Sequence, residues 1–191
     1  MFADVLRAKL AGIAVLSGQQ AAQLQSHYEL MVRWNRSINL TTVTELDEAI
    51  ERHYCESIFL AAKLPPTPLR IVDIGSGPGF PGIPVAVFRP DCSITLVESH
   101  QRKAVFLKEA TRHHSNVRVV PKRAEEVEET FDCVISRAVS YADLQVSLSR
   151  LAGLAELLTG GEEPPPDWGW NWQSLQVPWG RERFVRSGFR R

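Results

Sequence analysis

DIGSGPGFPG, residues 73–82, puts four glycines and two prolines into ten residues, directly after a short apolar run. Glycine has no Cβ, so a chain built this way can turn with positive φ and lie flush against a ligand. The flanks decide which fold carries the turn. RIVDIG (70–75) reads as a strand, and a helix is expected from about Gly82 to Phe88, with Pro84 tolerable only in its first turn. SITLVES (93–99) reads as a second strand, followed by a helix from Arg102 to about His113. VRVVPKR (117–123), FDCVISRA (131–138) and AELLTG (155–160) continue the rhythm, with Ser140 positioned to cap a helix running to about Ala152. This alternation implies right-handed βαβ units, hence an α/β, Rossmann-like fold whose mostly parallel sheet carries helices on both faces. In such a sheet, ligands bind beyond the carboxyl ends of the strands, and the glycine turn sits there.

Residues 1–64 read as a helical extension to an α/β domain covering 65–191. Phe2, Val5 or Leu6, Leu10 and Ile13 fit one helical stripe, and Ser17 with Gln20 forms a capping box for a second helix. A third helix is expected near Thr44, and the proline cluster LPPTP (64–68) ends the block. At the other end, NWQSLQVP and RFVRSGFRR read as a terminal strand pair. Trp168, Trp170, Trp172 and Trp179 crowd this region and are expected to cover the sheet edge.

With 22 basic and 22 acidic residues, the chain carries no global field that would attract a polyanion, so any nucleic-acid surface must come from local clustering. Arg33, Arg36, Arg102, Lys103, Lys108 and the arginines of the tail are the candidates for a basic rim. The three cysteines, Cys55, Cys92 and Cys133, are odd in number and far apart, so neither a disulfide framework nor a metal centre is expected. No segment reaches the roughly 20 apolar residues of a membrane span. A cytoplasmic, monomeric protein is the expectation.

Spacing narrows the ligand. A dinucleotide fingerprint needs a glycine where this chain has Phe80, and no Lys-Ser/Thr pair follows to make a phosphate loop. Glu98 closes the second strand, where a carboxylate can accept from both ribose hydroxyls. Arg123, Ala124 and Glu125 end the third, across the cleft, where an adenine could rest. With nothing present to hold a pyrophosphate, an adenosyl group with an amino-acid tail fits best: S-adenosylmethionine.

Here the chain resembles a known family. WNRSINLT (34–41), RHYCES (52–57), DIGSGPGFPGIP (73–84), the strand ending in Glu98, RAEE (123–126) and VISRA (134–138) are similar to RsmG, also called GidB. That resemblance, running from about residue 20 to 160, implies a class I methyltransferase that moves a methyl group from S-adenosylmethionine to N7 of a guanine in 16S ribosomal RNA. It implies cofactor contacts at Gly75, Gly77, Gly79, Phe80, Glu98, Ala124, Glu125 and Arg137, and catalytic roles for Arg137, Asn39 and His53. Its partner would be 16S RNA or the small ribosomal subunit. Two departures stand out: Glu56 where relatives usually have Asp, and Thr159 where they usually have Lys.

The chemistry is consistent with that reading. The turn after the fourth strand is I-S-R-A-V-S, neither an Asn/Asp-Pro-Pro-aromatic turn for exocyclic amines nor a cysteine nucleophile for carbon methylation. Guanine N7 is an exposed lone pair with no proton to remove, so alignment and desolvation suffice. Arg137 is expected to contact phosphate, O6 or the cofactor. Methylation of a small molecule and a non-catalytic RNA-binding relic are the alternatives, with a nicotinamide oxidoreductase behind them.

Overall fold

A computed structural model describes all 191 residues. Seven strands form one sheet in the order β3-β2-β1-β4-β5-β7-β6. They are β1 (Arg70–Ile74), β2 (Ser93–Val97), β3 (Val117–Val120), β4 (Cys133–Arg137), β5 (Leu154–Thr159), β6 (Trp170–Gln176) and β7 (Phe184–Arg190). The first five pair in parallel, and β7 joins β5 antiparallel with β6 outside it. The chain leaves β1 toward β2 on one side and later lays β4 on the other, so the switch point falls at β1 and the glycine turn. The third strand is shorter than the 117–123 span read from the sequence: it stops before Pro121, which has no N–H for the ladder.

The helices are α1 (Phe2–Lys9), α2 (Gly18–Asn35), α3 (Leu46–Ala49), α4 (Glu56–Lys63), α5 (Gly82–Phe88), α6 (Gln101–Ala110) and α7 (Tyr141–Leu151). Ser17 and Gln20 make the expected capping box of α2, and the Ser140 hydroxyl caps α7. A π-helical stretch, Ile50–Cys55, links α3 to α4 without a break. Such widened turns displace the residues after them around the helix. Here His53 and Tyr54, neighbours in sequence, both point inward and are buried.

Alternate strand residues serve different layers. Ile71, Ile94, Leu96 and Ile135 join the N-terminal helices, α5 and α6 in one cluster of 31 buried residues. Val72, Ile74, Val134 and Leu157 face α7 in a second cluster of 13. The N-terminal extension therefore shares its core with the sheet. The tryptophans pin the tail as expected: Trp170 stacks on Trp172 and donates its indole N–H to the Ser149 hydroxyl at 2.9 Å, while Trp179 meets Phe59 edge-on.

Candidate cofactor and acceptor site

The glycine turn is pinned backbone by backbone. Gly75, Gly77 and Gly79 have φ of +67°, +55° and +97°, values that L side chains rarely adopt. The N–H groups of Gly75 and Ser76 both donate to the Val97 carbonyl, at 3.0 and 3.1 Å, and those of Gly79 and Phe80 to the Ser76 carbonyl, at 2.7 and 3.0 Å. The Gly77 N–H donates to Glu98 Oε2 at 2.8 Å, and the His100 N–H to Glu98 Oε1 at 2.7 Å. Pro78 has no N–H. The amides of the turn are thus all engaged inside the protein, whereas the carbonyls of Gly75 and Gly77 meet no protein donor. A phosphate nest needs free N–H groups; this turn offers acceptors instead.

Two buried groups hold the turn from behind. Asp73 takes the Gly82 N–H on Oδ2 at 3.0 Å, leaving Oδ1 without a partner, and burial pushes its carboxyl up to about 7. His27, from α2, reaches the Pro78 carbonyl with Nε2 at 2.9 Å, and its Nδ1 lies 2.9 Å from the Tyr54 hydroxyl.

Beside the turn lies a hollow of about 210 Å³ between Ile74, Gly75, Val97, Ala124, Glu125 and Val139. Ala124 and Glu125 sit on a short 3-10 turn, Ala124–Glu126, across from Glu98's strand. A Cβ at Gly75 would come within 2.7 Å of the Val139 side chain, so glycine keeps this wall clear. The hollow and Glu98 fit an adenosyl group in position and polarity.

A larger cleft, about 570 Å³, opens at the carboxyl ends of β4 and β5. Asn39, His53, Lys103, Arg137, Tyr141 and Thr159 border it. Arg137 Nη1 donates to the Arg52 carbonyl at 2.6 Å and to His53 Nδ1 at 2.7 Å. Because Nδ1 accepts, His53 carries its proton on Nε2, which donates to Thr41 Oγ1 at 2.9 Å. Burial, with Arg137 and Arg52 adding to it, depresses the His53 pKa to about 2, so the imidazole is neutral at every physiological pH. Burial lowers Arg137 only to about 10, and it stays a cation.

A family model described as rRNA small subunit methyltransferase G (GidB) matches residues 20–154. The chain belongs to this family. Ribosomal RNA small subunit methyltransferase G of Mycoplasma capricolum is 38% identical over 147 residues, covering 72% of this chain and 64% of its own length. That of Nitrosomonas europaea is 40% identical over 138 residues, covering 70% and 64%. The chain thus spans less than two thirds of the length of these curated relatives. Among solved structures, a methyltransferase from Pyrococcus furiosus superposes with a TM-score of 0.61 at 16% identity, covering 91% of this chain and 98% of that one. Magnesium protoporphyrin IX methyltransferase from Synechocystis, solved with bound SAM, reaches 0.55 at 11% identity, covering 100% and 98%. At those identities the likeness is one of fold: the Rossmann-like sheet expected from the strand rhythm, in the class I methyltransferase form that the resemblance implied.

Within this GidB-family fold, Gly75, Ala124 and Glu125 border the smaller hollow, with Gly77 held by Glu98 beside it, and Arg137, His53 and Asn39 border the larger cleft. Phe80 corrects the sequence reading. It borders neither hollow: its ring is 2% exposed, stacked on His53 at 4.5 Å and edge-on to His27 and Tyr54, with the Arg137 guanidinium 5.1 Å from its centroid. It is the floor under Arg137 and His53. Gly79 is likewise buried, and acts on the turn's course. Asn39 is exposed at the cleft mouth, while Asn35 secures the end of α2 by accepting from the N–H groups of Leu40 and Thr41.

Of the tail arginines, Arg181, Arg190 and Arg191 are exposed, whereas two are drawn inward. Arg186 is 1% exposed and donates to Glu163, Ser174 and loop carbonyls. Arg183 pairs with the buried Glu56 on α4. Sequence reasoning missed His27, since a histidine in a helical stripe carries no motif; Tyr54 lies inside RHYCES, but nothing there points to His27.

Proposed function

We propose that the protein transfers a methyl group from S-adenosylmethionine to N7 of a guanine in 16S ribosomal RNA. The observation that carries the donor half is the polarity of the glycine turn. Its amides are engaged and its Gly75 and Gly77 carbonyls are not. A ligand ending in an ammonium matches such a turn, whereas a pyrophosphate does not. When bound, S-adenosylmethionine would supply an electrophilic methyl on a sulfonium. Glu98 retains a second lone pair on each oxygen for ribose hydroxyls, and Ala124 and Glu125 would border the adenine.

The acceptor half follows from what the cleft residues can do. His53 has both nitrogens engaged and stays neutral, so it does not serve as a base. Its work is to orient Arg137. Arg137 uses Nη1 on His53 and Arg52, and the rest of its guanidinium borders the cleft, available to a phosphate or to guanine O6. Lys103 adds a second cation at the same mouth, and Asn39 a neutral donor and acceptor. A site with cations and no free base suits a nucleophile that has no proton to lose. Methyl-labelled S-adenosylmethionine incubated with unmethylated small subunits, or their naked RNA, tests this. Label at guanine N7 is expected; label confined to a small molecule, or no transfer despite donor binding, overturns it.

A further inference from the structure

The glycine turn depends on a side chain that belongs to neither the motif nor the cleft. Pro78 lies between Gly77 and Gly79, both at positive φ. These residues have the widest conformational freedom in the turn, and Pro78 offers no amide with which to anchor them. Its carbonyl is therefore the available handle at that point. His27 takes it at 2.9 Å. A carbonyl only accepts, so Nε2 carries the proton and Nδ1 must accept from the Tyr54 hydroxyl. The Tyr54 ring is wedged edge-on between Phe2 and Phe80. His27 is 3% exposed, and burial lowers its pKa to about 4, so this tautomer persists without competition from the imidazolium.

We propose that His27 is a positioning residue for the methyl donor: its Nε2–H, set by Tyr54, holds the Gly77–Gly79 segment in its binding shape before the ligand arrives. The inference rests on the donor reading above. Pre-ordering the turn removes a conformational cost that binding would otherwise carry. His27 touches no reacting group, so its loss acts on donor affinity and leaves the chemical step nearly intact.

Calorimetry with S-adenosylhomocysteine, alongside steady-state methylation of 16S RNA, tests it on three variants of the full chain. His27→Phe keeps a ring and deletes the donor; Kd for the product and KM for S-adenosylmethionine are expected to rise about tenfold, with kcat changing less than threefold. His27→Gln restores an N–H near Nε2 and should recover most of the affinity. A merely structural role would lower the melting temperature of both variants without separating their affinities. Equal affinity in folded His27→Phe and wild type, or equal losses in the Phe and Gln variants, overturns the proposal. Should His27→Phe fail to fold, Tyr54→Phe decides: Kd raised about threefold supports the relay, and an unchanged Kd overturns it. If the wild type itself takes up no S-adenosylhomocysteine, the donor reading fails rather than the role of His27.

Discussion

The glycine turn and the larger cleft of this molecule are built from different materials. The turn is backbone: left-handed glycines at 75, 77 and 79, with Glu98 one strand away. The cleft is side chain, drawn from Asn39, His53, Lys103, Arg137 and Tyr141, which only the fold brings together. Burial acts on the two in opposite senses. It pushes Asp73, behind the glycine turn, up to about 7, and it presses His53, under the cleft, down to about 2. Each is thereby held toward its neutral form, the response expected of a charge removed from water. The turn thus resists change through backbone geometry, and the cleft through a chain of hydrogen bonds running from Thr41 through His53 to the Arg137 guanidinium.

That contrast can be broken from either side. Arg137→Glu should have the largest effect: it removes the acceptor cation and its bond to His53 Nδ1. Methyl transfer should fall by roughly 10²–10³, while the Kd for S-adenosylhomocysteine moves only a few-fold; single-turnover assays and calorimetry separate the two. Gly79→Ala strikes the other side. It forces a Cβ onto a residue at φ +97° and into the Ile83 side chain. Strain of a few kcal/mol should weaken donor binding by about a hundredfold, while RNA binding measured by filter retention stays as in wild type. Glu98→Gln should cost about tenfold in donor affinity by calorimetry, because an amide accepts on one atom where the carboxylate accepts on two.

The smallest effect sharpens the electrostatic half of the contrast. Asp73 has its folded pKa raised from 3.8 to about 7, so the folded protein holds a proton that the unfolded chain has released. Its contribution is full below about pH 4 and is lost as pH rises through 7. Asp73→Asn keeps an acceptor for the Gly82 N–H and does not titrate. The melting temperature of the variant minus that of wild type should therefore grow between pH 5 and pH 8, by about 5 °C. A constant difference would mean that Asp73 takes up no proton on folding in this range, against its raised pKa.

The same contrast explains how much the sequence discloses. The strand rhythm, the Ser17 and Ser140 caps, the terminal strand pair and the glycine turn with Glu98 are legible because each is local, set by spacing or by one residue's conformational preference. The three-dimensional readings of Phe80 and the tail arginines are not. Phe80 sits inside a motif that suggests ligand contact, yet the π-helical stretch turns His53 and Tyr54 onto its ring and makes it core. Arg186 looks like part of a basic rim until β7 pairs with β5 and buries it. His27 acts through a carbonyl 51 residues away, a relation that no periodicity records.

Calorimetric titration of the wild-type chain with S-adenosylhomocysteine, run beside a nicotinamide dinucleotide, tests the reading of the turn most directly. One saturable site for the former, weakened in Glu98→Gln, with no heat from the latter, is the predicted result. Folded protein that ignores S-adenosylhomocysteine, or prefers the dinucleotide, would contradict it.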